Sequence, residues 1–170
     1  MMKRRSRQGF TMGEMIVAMA ITAFVATAAV GGIALLLTMR KSLEVTNAAQ
    51  TLEQAVVYTI SEGLNGCIGS SKTDSANIIY YCDDATGEYF TYKNGTDGIV
   101  RSAYGTTSTE ELFENYYANL GLKTHIEGLN NGLDSQTFMF TFTVSILDKD
   151  NNEIVSNVIT VHPDHLTNNQ

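Results

Sequence analysis

The feature that most limits the fold of this 170-residue chain is an uncharged run of 23 residues near its start, residues 15–37. As an α-helix rising 1.5 Å per residue it spans about 34 Å, enough to cross a bilayer core of about 30 Å. A single modest domain cannot enclose such a stretch, so lipid or neighbouring chains must house it. Charge divides the chain at the same place. Residues 1–41 carry Lys3, Arg4, Arg5, Arg7, Arg40 and Lys41 against Glu14, a net +5, and the chain totals −7, which leaves −12 for residues 42–170. Basic residues crowd the N-terminal side of the apolar run, and the positive-inside bias therefore predicts a single-pass protein of the cytoplasmic membrane, its N-terminus inside and its bulk exported. A cleaved secretory signal has a shorter apolar region, of about 7–15 residues, and ends in a small-residue site. A mature terminus near Ala28 or Gly31 would mark that case.

Beyond Leu37, apolar residues recur at Met39, Leu43, Ala49, Leu52, Val56, Ile60 and Leu64, mostly three or four apart, and no helix breaker intervenes before Gly63. The apolar helix is thus expected to continue as an amphipathic one, giving a single helix over residues 10–62. Gly31-Gly32 is its weak point, since an interior glycine costs about 1 kcal/mol relative to alanine. A bend or local unwinding is expected there.

From Gly63 the composition turns to Gly, Ser, Thr, Asn, Asp and Tyr. Two β-prone runs, residues 77–82 and 88–93, flank the turn-rich DDATG and predict a hairpin. Residues 109–120 read as a helix, opened by a cap at Ser108 or Thr109, with Glu110, Glu111 and Glu114 near its positive end and Gly121 as its stop. The clearest strand is residues 136–147, with Phe138, Phe140, Phe142, Val144 and Ile146 on one face and Met139, Thr141, Thr143 and Ser145 on the other. Residues 148–152 make a turn, and residues 153–161 return as a strand. The exported part is therefore predicted to be α+β, an antiparallel sheet burying its Phe face on the outer half of the long helix.

The junction Lys3-Arg4-Arg5-Ser6-Arg7-Gln8-Gly9-Phe10-Thr11-Met12-Gly13-Glu14, running directly into the apolar stretch, resembles the type III signal of type IV prepilins and pseudopilins. In that family a basic leader ends in Gly, Phe or Met follows, a Thr-Leu pair is frequent, and a Glu stands fifth after the cut. Gly9, Phe10, Thr11 and Glu14 match position for position, and Met12 stands where Leu is common. The resemblance covers about the first forty residues. It implies a prepilin peptidase that cuts after Gly9 and methylates the new amino terminus of Phe10. It also implies a type IV pilin-like fold, with the long helix carrying a C-terminal antiparallel-sheet head.

The divisions that follow are a leader over 1–9, a transmembrane and filament-core helix over 10–39, an amphipathic outer half over 40–62 and a globular head over 63–170. Membrane lipid surrounds the helix before assembly. Other pilin or pseudopilin subunits and a membrane assembly platform then become its partners, in an extracytoplasmic pilus or pseudopilus. Small residues such as Ala18, Ala20, Ala23, Ala26, Ala28 and Ala29 permit close helix approach in such a core.

A carboxylate just inside an apolar run is costly, and in the family Glu14 would relieve that cost by pairing with the positive amino terminus of the adjacent subunit. Such pairing is heterologous and builds open helical filaments. A plainer alternative puts Glu14 at the cytosolic interface, snorkelling or capping the helix start. The chain departs from the family where many members carry a proline about twenty residues past the cut, here occupied by Gly31-Gly32. Gly13 and Met15 are also unusual, a looseness more typical of minor pilins and pseudopilins.

The remaining candidates lie in the head. Cys67 and Cys82 are compatible with a disulfide in an exported domain, which would contribute about 3 kcal/mol for a loop of this size; two unbridged thiols are the alternative. Asp148, Asp150 and Glu153, with Asn151 and Asn152, offer a weak Ca²⁺ site, although a hairpin turn prefers the same residues. His162 and His165 suit a polar tail better than a metal pair, and Asn94-Gly95-Thr96 reads first as a turn. The tyrosines are expected in packing rather than in a sticky surface.

Five basic residues against seventeen acids beyond residue 41 argue against nucleic-acid binding. No G-x-S-x-G, H-E-x-x-H, P-loop or Rossmann fingerprint occurs, His125 has no evident nucleophile partner, and no cofactor is implied, so catalysis is not expected. The second function class in view is a signal-anchored single-pass protein displaying an extracytoplasmic binding domain.

Overall fold

The computed structural model describes residues 10–113, 118–134 and 136–164. A single helix, α1 (Met12–Asn65), comes first. Among the described residues eight strands follow: β1 (Cys67–Thr73), β2 (Ile79–Asp83), β3 (Tyr89–Asn94), β4 (Ile99–Ala103), β5 (Thr109–Glu111), β6 (Lys123–Glu127), β7 (Phe140–Leu147) and β8 (Glu153–Val161). The chain divides into two compact units, Met1–Glu44 and Val45–Gln170. The class is α+β, one long apolar N-terminal helix followed by antiparallel sheets.

In the first unit every described side chain, residues 10–44, is exposed. The helix passes through Gly31-Gly32 without a break, so the expected unwinding is absent. Main-chain bonding on both sides outweighs a propensity deficit of about 1 kcal/mol per glycine. Three threonines in the apolar run return their hydroxyls to the helix itself. Thr22 Oγ1 donates to the Ala18 carbonyl at 2.8 Å, Thr27 Oγ1 to Ala23 at 2.8 Å and Thr38 Oγ1 to Ala34 at 3.0 Å. Polar groups satisfied in this way can be carried into hydrocarbon.

In the second unit α1 supplies the spine of the core. Ala48, Ala49, Leu52, Val56, Ile60 and Leu64 are buried at helical spacing, as the periodicity predicted from Ala49 onward. Met39 and Leu43, the first two residues of that stripe, lie in the first unit and are exposed. The helix carries on past Gly63 to Asn65. Gly63 is there for close approach, because a Cβ at that position would strike the Tyr92 hydroxyl.

Two antiparallel sheets meet this spine, a five-stranded meander in the order β1-β2-β3-β4-β5 and a three-stranded sheet in the order β6-β7-β8. One core cluster joins α1 to Cys67, Tyr81, Phe90, Tyr92 and Ile99 of the first sheet and to Ile126, Phe140, Phe142, Val144, Ile146 and Val161 of the second. The rings of Tyr81 and Phe140 meet edge-on across it, 4.7 Å apart at 84°. Asn94 ties the sheets at their margin. Its amide donates to the Ile126 carbonyl at 2.9 Å, and its oxygen accepts the Ile126 N–H at 2.8 Å. The side chain of the Asn94-Gly95-Thr96 sequence is thus spent on the fold.

The predicted β2–β3 and β7–β8 hairpins are present. Two expectations for the segments behind α1 are corrected. Residues 109–111 are strand β5, not the start of a helix, pairing Ser102 with Thr109, Arg101 with Glu110 and Val100 with Glu111. This pairing satisfies the outer main-chain groups of β4 and sets a carboxylate opposite a guanidinium, which the local capping pattern cannot match. Residues 118–120 form only a 3₁₀ turn, and Glu114, Tyr116 and Tyr117 lie outside the described residues.

The second correction shortens the clearest strand, which begins at Phe140 rather than at 136. The Asp134 carboxylate gathers the N–H groups of Gln136 and Thr137 at 2.7 and 3.1 Å, and the Phe138 N–H donates to the Asp134 carbonyl at 2.7 Å. Phe138 is left at φ 54°, a conformation a strand cannot contain. It does not join Phe140 and Phe142 in the core. On the opposite face, Ser145 is buried, with its hydroxyl between Glu153 Oε2 at 3.1 Å and the Ser156 hydroxyl at 3.0 Å.

Candidate functional site

The site with the most chemistry in its sequence is the start of α1. Thr11 is the residue before the first helical position, and Glu14 stands in the first turn. Their side chains cap the helix reciprocally. The Glu14 carboxylate accepts the Thr11 N–H at 2.8 Å and the Thr11 hydroxyl at 3.0 Å, both on Oε2, while the Glu14 N–H donates to Thr11 Oγ1 at 3.3 Å. Two main-chain donors that the helix leaves open are thereby satisfied. The Thr-x-x-Glu spacing is the sequence signal for this arrangement, and the family motif, which gives Glu14 an intersubunit role, does not point to Thr11 as its partner. Within one chain, therefore, Glu14 has the capping role that the sequence offered as its plainer alternative.

Phe10 precedes this cap as an open side chain, 82% exposed. Gly9 and the basic residues before it lie outside the described residues. Past Glu14 the helix presents Met15, Ile16, Val17, Met19, Ile21 and Phe24 to its surroundings, all more than half exposed. Among the described residues, α1 is the one helix long and apolar enough to cross a membrane by length and composition.

The other candidates resolve into local structure. Asp148 Oδ1 accepts the N–H groups of Asp150 and Asn152 at 2.8 Å each, and Oδ2 accepts the Asn152 amide at 3.0 Å, which closes the β7–β8 turn. These bonds hold the Asp148 carboxyl below its usual range. Glu153 is turned to Ser145 instead, so Asp148, Asp150 and Glu153 do not converge, and no group of three or more metal-ligating side chains occurs among the described residues. His162 is exposed, and His165 lies outside the described residues. His125 lies beside Glu127 at 3.1 Å on β6.

Cys67 and Cys82 are both buried and both unbridged, the alternative to the disulfide that an exported domain allows. The register explains why. Cys67 stands opposite Asp83, one position beyond Cys82, so the two side chains leave opposite faces of the sheet. Burial, with the Asp83 carboxylate adding to it, pushes the Cys67 thiol up to about 12.

Residues 4–30 match the family described as the prokaryotic N-terminal methylation motif. No curated protein and no solved structure matches the chain. The motif covers the basic residues from Arg4, the cap and the first 16 residues of the apolar run, and the elements of the chain are a long helix and antiparallel sheets. The chain therefore carries a type IV pilin- or pseudopilin-type prepilin signal ahead of an α+β, pilin-like fold.

Proposed function

We propose that the protein is a structural subunit of a type IV pilus or pseudopilus, and that its work is assembly rather than catalysis. The observation that carries this reading is the coincidence of the methylation motif over residues 4–30 with a helix whose first 33 residues, Met12 to Glu44, bury no side chain within the chain. An apolar helix whose side chains are not buried within the chain needs lipid first and other helices afterwards.

In this reading the chain is inserted in the cytoplasmic membrane with its N-terminus inside, cut after Gly9 by a prepilin peptidase and methylated at Phe10. It then joins an extracytoplasmic filament of pilin or pseudopilin subunits through an assembly platform. Glu14 is the intersubunit charge. Because both of its intrachain contacts fall on Oε2, Oε1 remains to meet the amino terminus of a neighbour while the cap persists. The looseness around Glu14 favours a minor pilin or a pseudopilin.

Co-expression with a prepilin peptidase and mass spectrometry of the N-terminus test the reading. The expected product begins at N-methyl-Phe10 and disappears in Gly9→Val, while Glu14→Ala is processed but fails to enter filaments. An intact N-terminus would replace this reading with a signal-anchored display protein, and a cut near residue 30 would replace it with a secreted domain.

A further inference from the structure

The two cysteines of the head are one register step from being cross-strand partners. Cys67 shares the face of the first sheet that meets α1, together with Tyr81 and Phe90 in the core cluster. Cys82 is buried on the other face, where its cross-strand neighbour is Tyr89. A disulfide needs Cβ atoms about 3.8 Å apart and aimed at each other, which the alternation of side chains excludes in this register.

The register of β1 is irregular between two secured ends. The ladder runs from Cys67 opposite Asp83 directly to Ser71 opposite Tyr81, so Ile68, Gly69 and Ser70 together face Cys82 alone. Gly69 sits at φ 76°, a conformation that permits the extra residues to bulge. β1 is an edge strand, and Cys67 is its one buried residue. Its far end is pinned separately, by the Lys72 ammonium 4.1 Å from the centre of the Tyr89 ring and 5.3 Å from that of Tyr104. The slack therefore lies in residues 68–70, beside Cys82, whereas the Cys67 end is held by the Asp84 N–H donating to the Gly66 carbonyl at 2.9 Å and by the Cys67 thiol donating to the Gly63 carbonyl at 3.5 Å, bonds that a shift must break. Because the side-chain period is two, a one-residue shift there moves Cys67 to the face of Cys82 and sets the two directly opposite.

We propose that β1 is a thiol-controlled edge strand: with both thiols reduced it holds the register described here, and on oxidation residues 67–70 shift so that Cys67 and Cys82 form a cross-strand disulfide. The oxidant is a small disulfide such as oxidised glutathione. One protein thiolate attacks it, giving a mixed disulfide and one reduced thiol. The second protein thiol then displaces the other half, so one S–S bond forms in the protein, one is broken in the oxidant, and the two protons end on two released thiols. Ser71, Lys72 and Thr73 keep their partners, and the core loses Cys67 at the point where α1 hands over to the sheet. In the register described here the Cys67 thiol is buried and held protonated, so the exchange waits for the strand to move.

The test uses the full chain in detergent micelles, treated with oxidised glutathione, and needs no peptidase or filament. Peptide mapping is expected to find a Cys67–Cys82 bridge, 2 Da lighter per chain. Hydrogen exchange is expected to rise at least tenfold over residues 67–70 and to stay unchanged over 71–73. Cys82→Ser, treated identically, should show neither change. A bridge with unaltered exchange would overturn the proposal, because the thiols would already be within reach. Bridge formation only in denaturing urea would also overturn it, as would a Cys82→Ser variant that shows the same rise in exchange.

Discussion

Gly63 shows how much a single absent carbon can decide. A methyl there would collide with the Tyr92 hydroxyl, whereas the nearest ring carbons stay at 3.4 and 3.7 Å. Gly63→Ala is therefore expected to destabilise the head by about 1–2 kcal/mol, overpacking outweighing the gain in helix propensity. In a Tyr92→Phe background the same change should become neutral or stabilising, and urea unfolding of the four proteins checks it as a double-mutant cycle. Glu53 is the complementary case, a carboxylate only 5% exposed on α1 that accepts the Asn157 amide of β8 at 3.1 Å. Asn157→Ala should cost about 1–3 kcal/mol by stranding a buried acceptor. Adding Glu53→Met should recover most of that loss in the same measurement, since an apolar pair leaves nothing unsatisfied. Neither pairing is visible in the sequence, because residues 63 and 92, and 53 and 157, meet only when the sheets close on the helix.

At the scale of elements, periodicity was a good guide where one surface is buried and a poor one at boundaries. The core stripe of α1 from Ala49 to Leu64 and the alternation from Phe140 to Ile146 follow directly from the spacing of apolar residues. Phe138 obeys the same alternation but belongs to the turn built by Asp134, and hydrogen bonds to one carboxylate outcompete the strand pattern. Phe138→Gly should leave the thermal midpoint unchanged or raise it by a few degrees, as glycine accepts φ 54° without strain. Phe140→Ala, by contrast, should cost about 3–5 kcal/mol because that ring is fully buried. Calorimetry on the two variants separates residues that the sequence made equivalent. Strand β5 carries the opposite lesson. Its acids suit a helix start, yet an unpaired β4 recruits the segment, a demand that exists only once the meander forms.

Over the whole molecule, pH acts on the head from both sides. Burial raises Tyr81, Tyr92 and Cys67, with Tyr92 and Cys67 pushed up to about 12. In the unfolded chain these groups titrate near pH 8.5 for cysteine and 10 for tyrosine. Their contribution is thus complete below about pH 8.5 and is lost as pH rises toward 12, because only the unfolded chain can then release the protons. Turn hydrogen bonds lower Asp74, Asp134 and Asp148, so their contribution is present above about pH 4 and disappears in acid. Circular dichroism of the head signal is expected to show a plateau from about pH 5 to 8, with loss on both sides and the larger loss at alkaline pH. A protein most stable at either extreme would contradict these assignments. What the sequence alone determined was everything that depends on local order along the chain: the membrane-length helix, its charge asymmetry, the prepilin signal and the buried stripe, since each is a run or a period within a few turns of backbone. Pairing between distant segments came only with the closed fold: two sheets rather than one, strand β5, the seat of Glu53, and the one-residue offset that keeps Cys67 and Cys82 apart. Register is set by which side chains share a buried face, and that face does not exist until the sheets and α1 have come together.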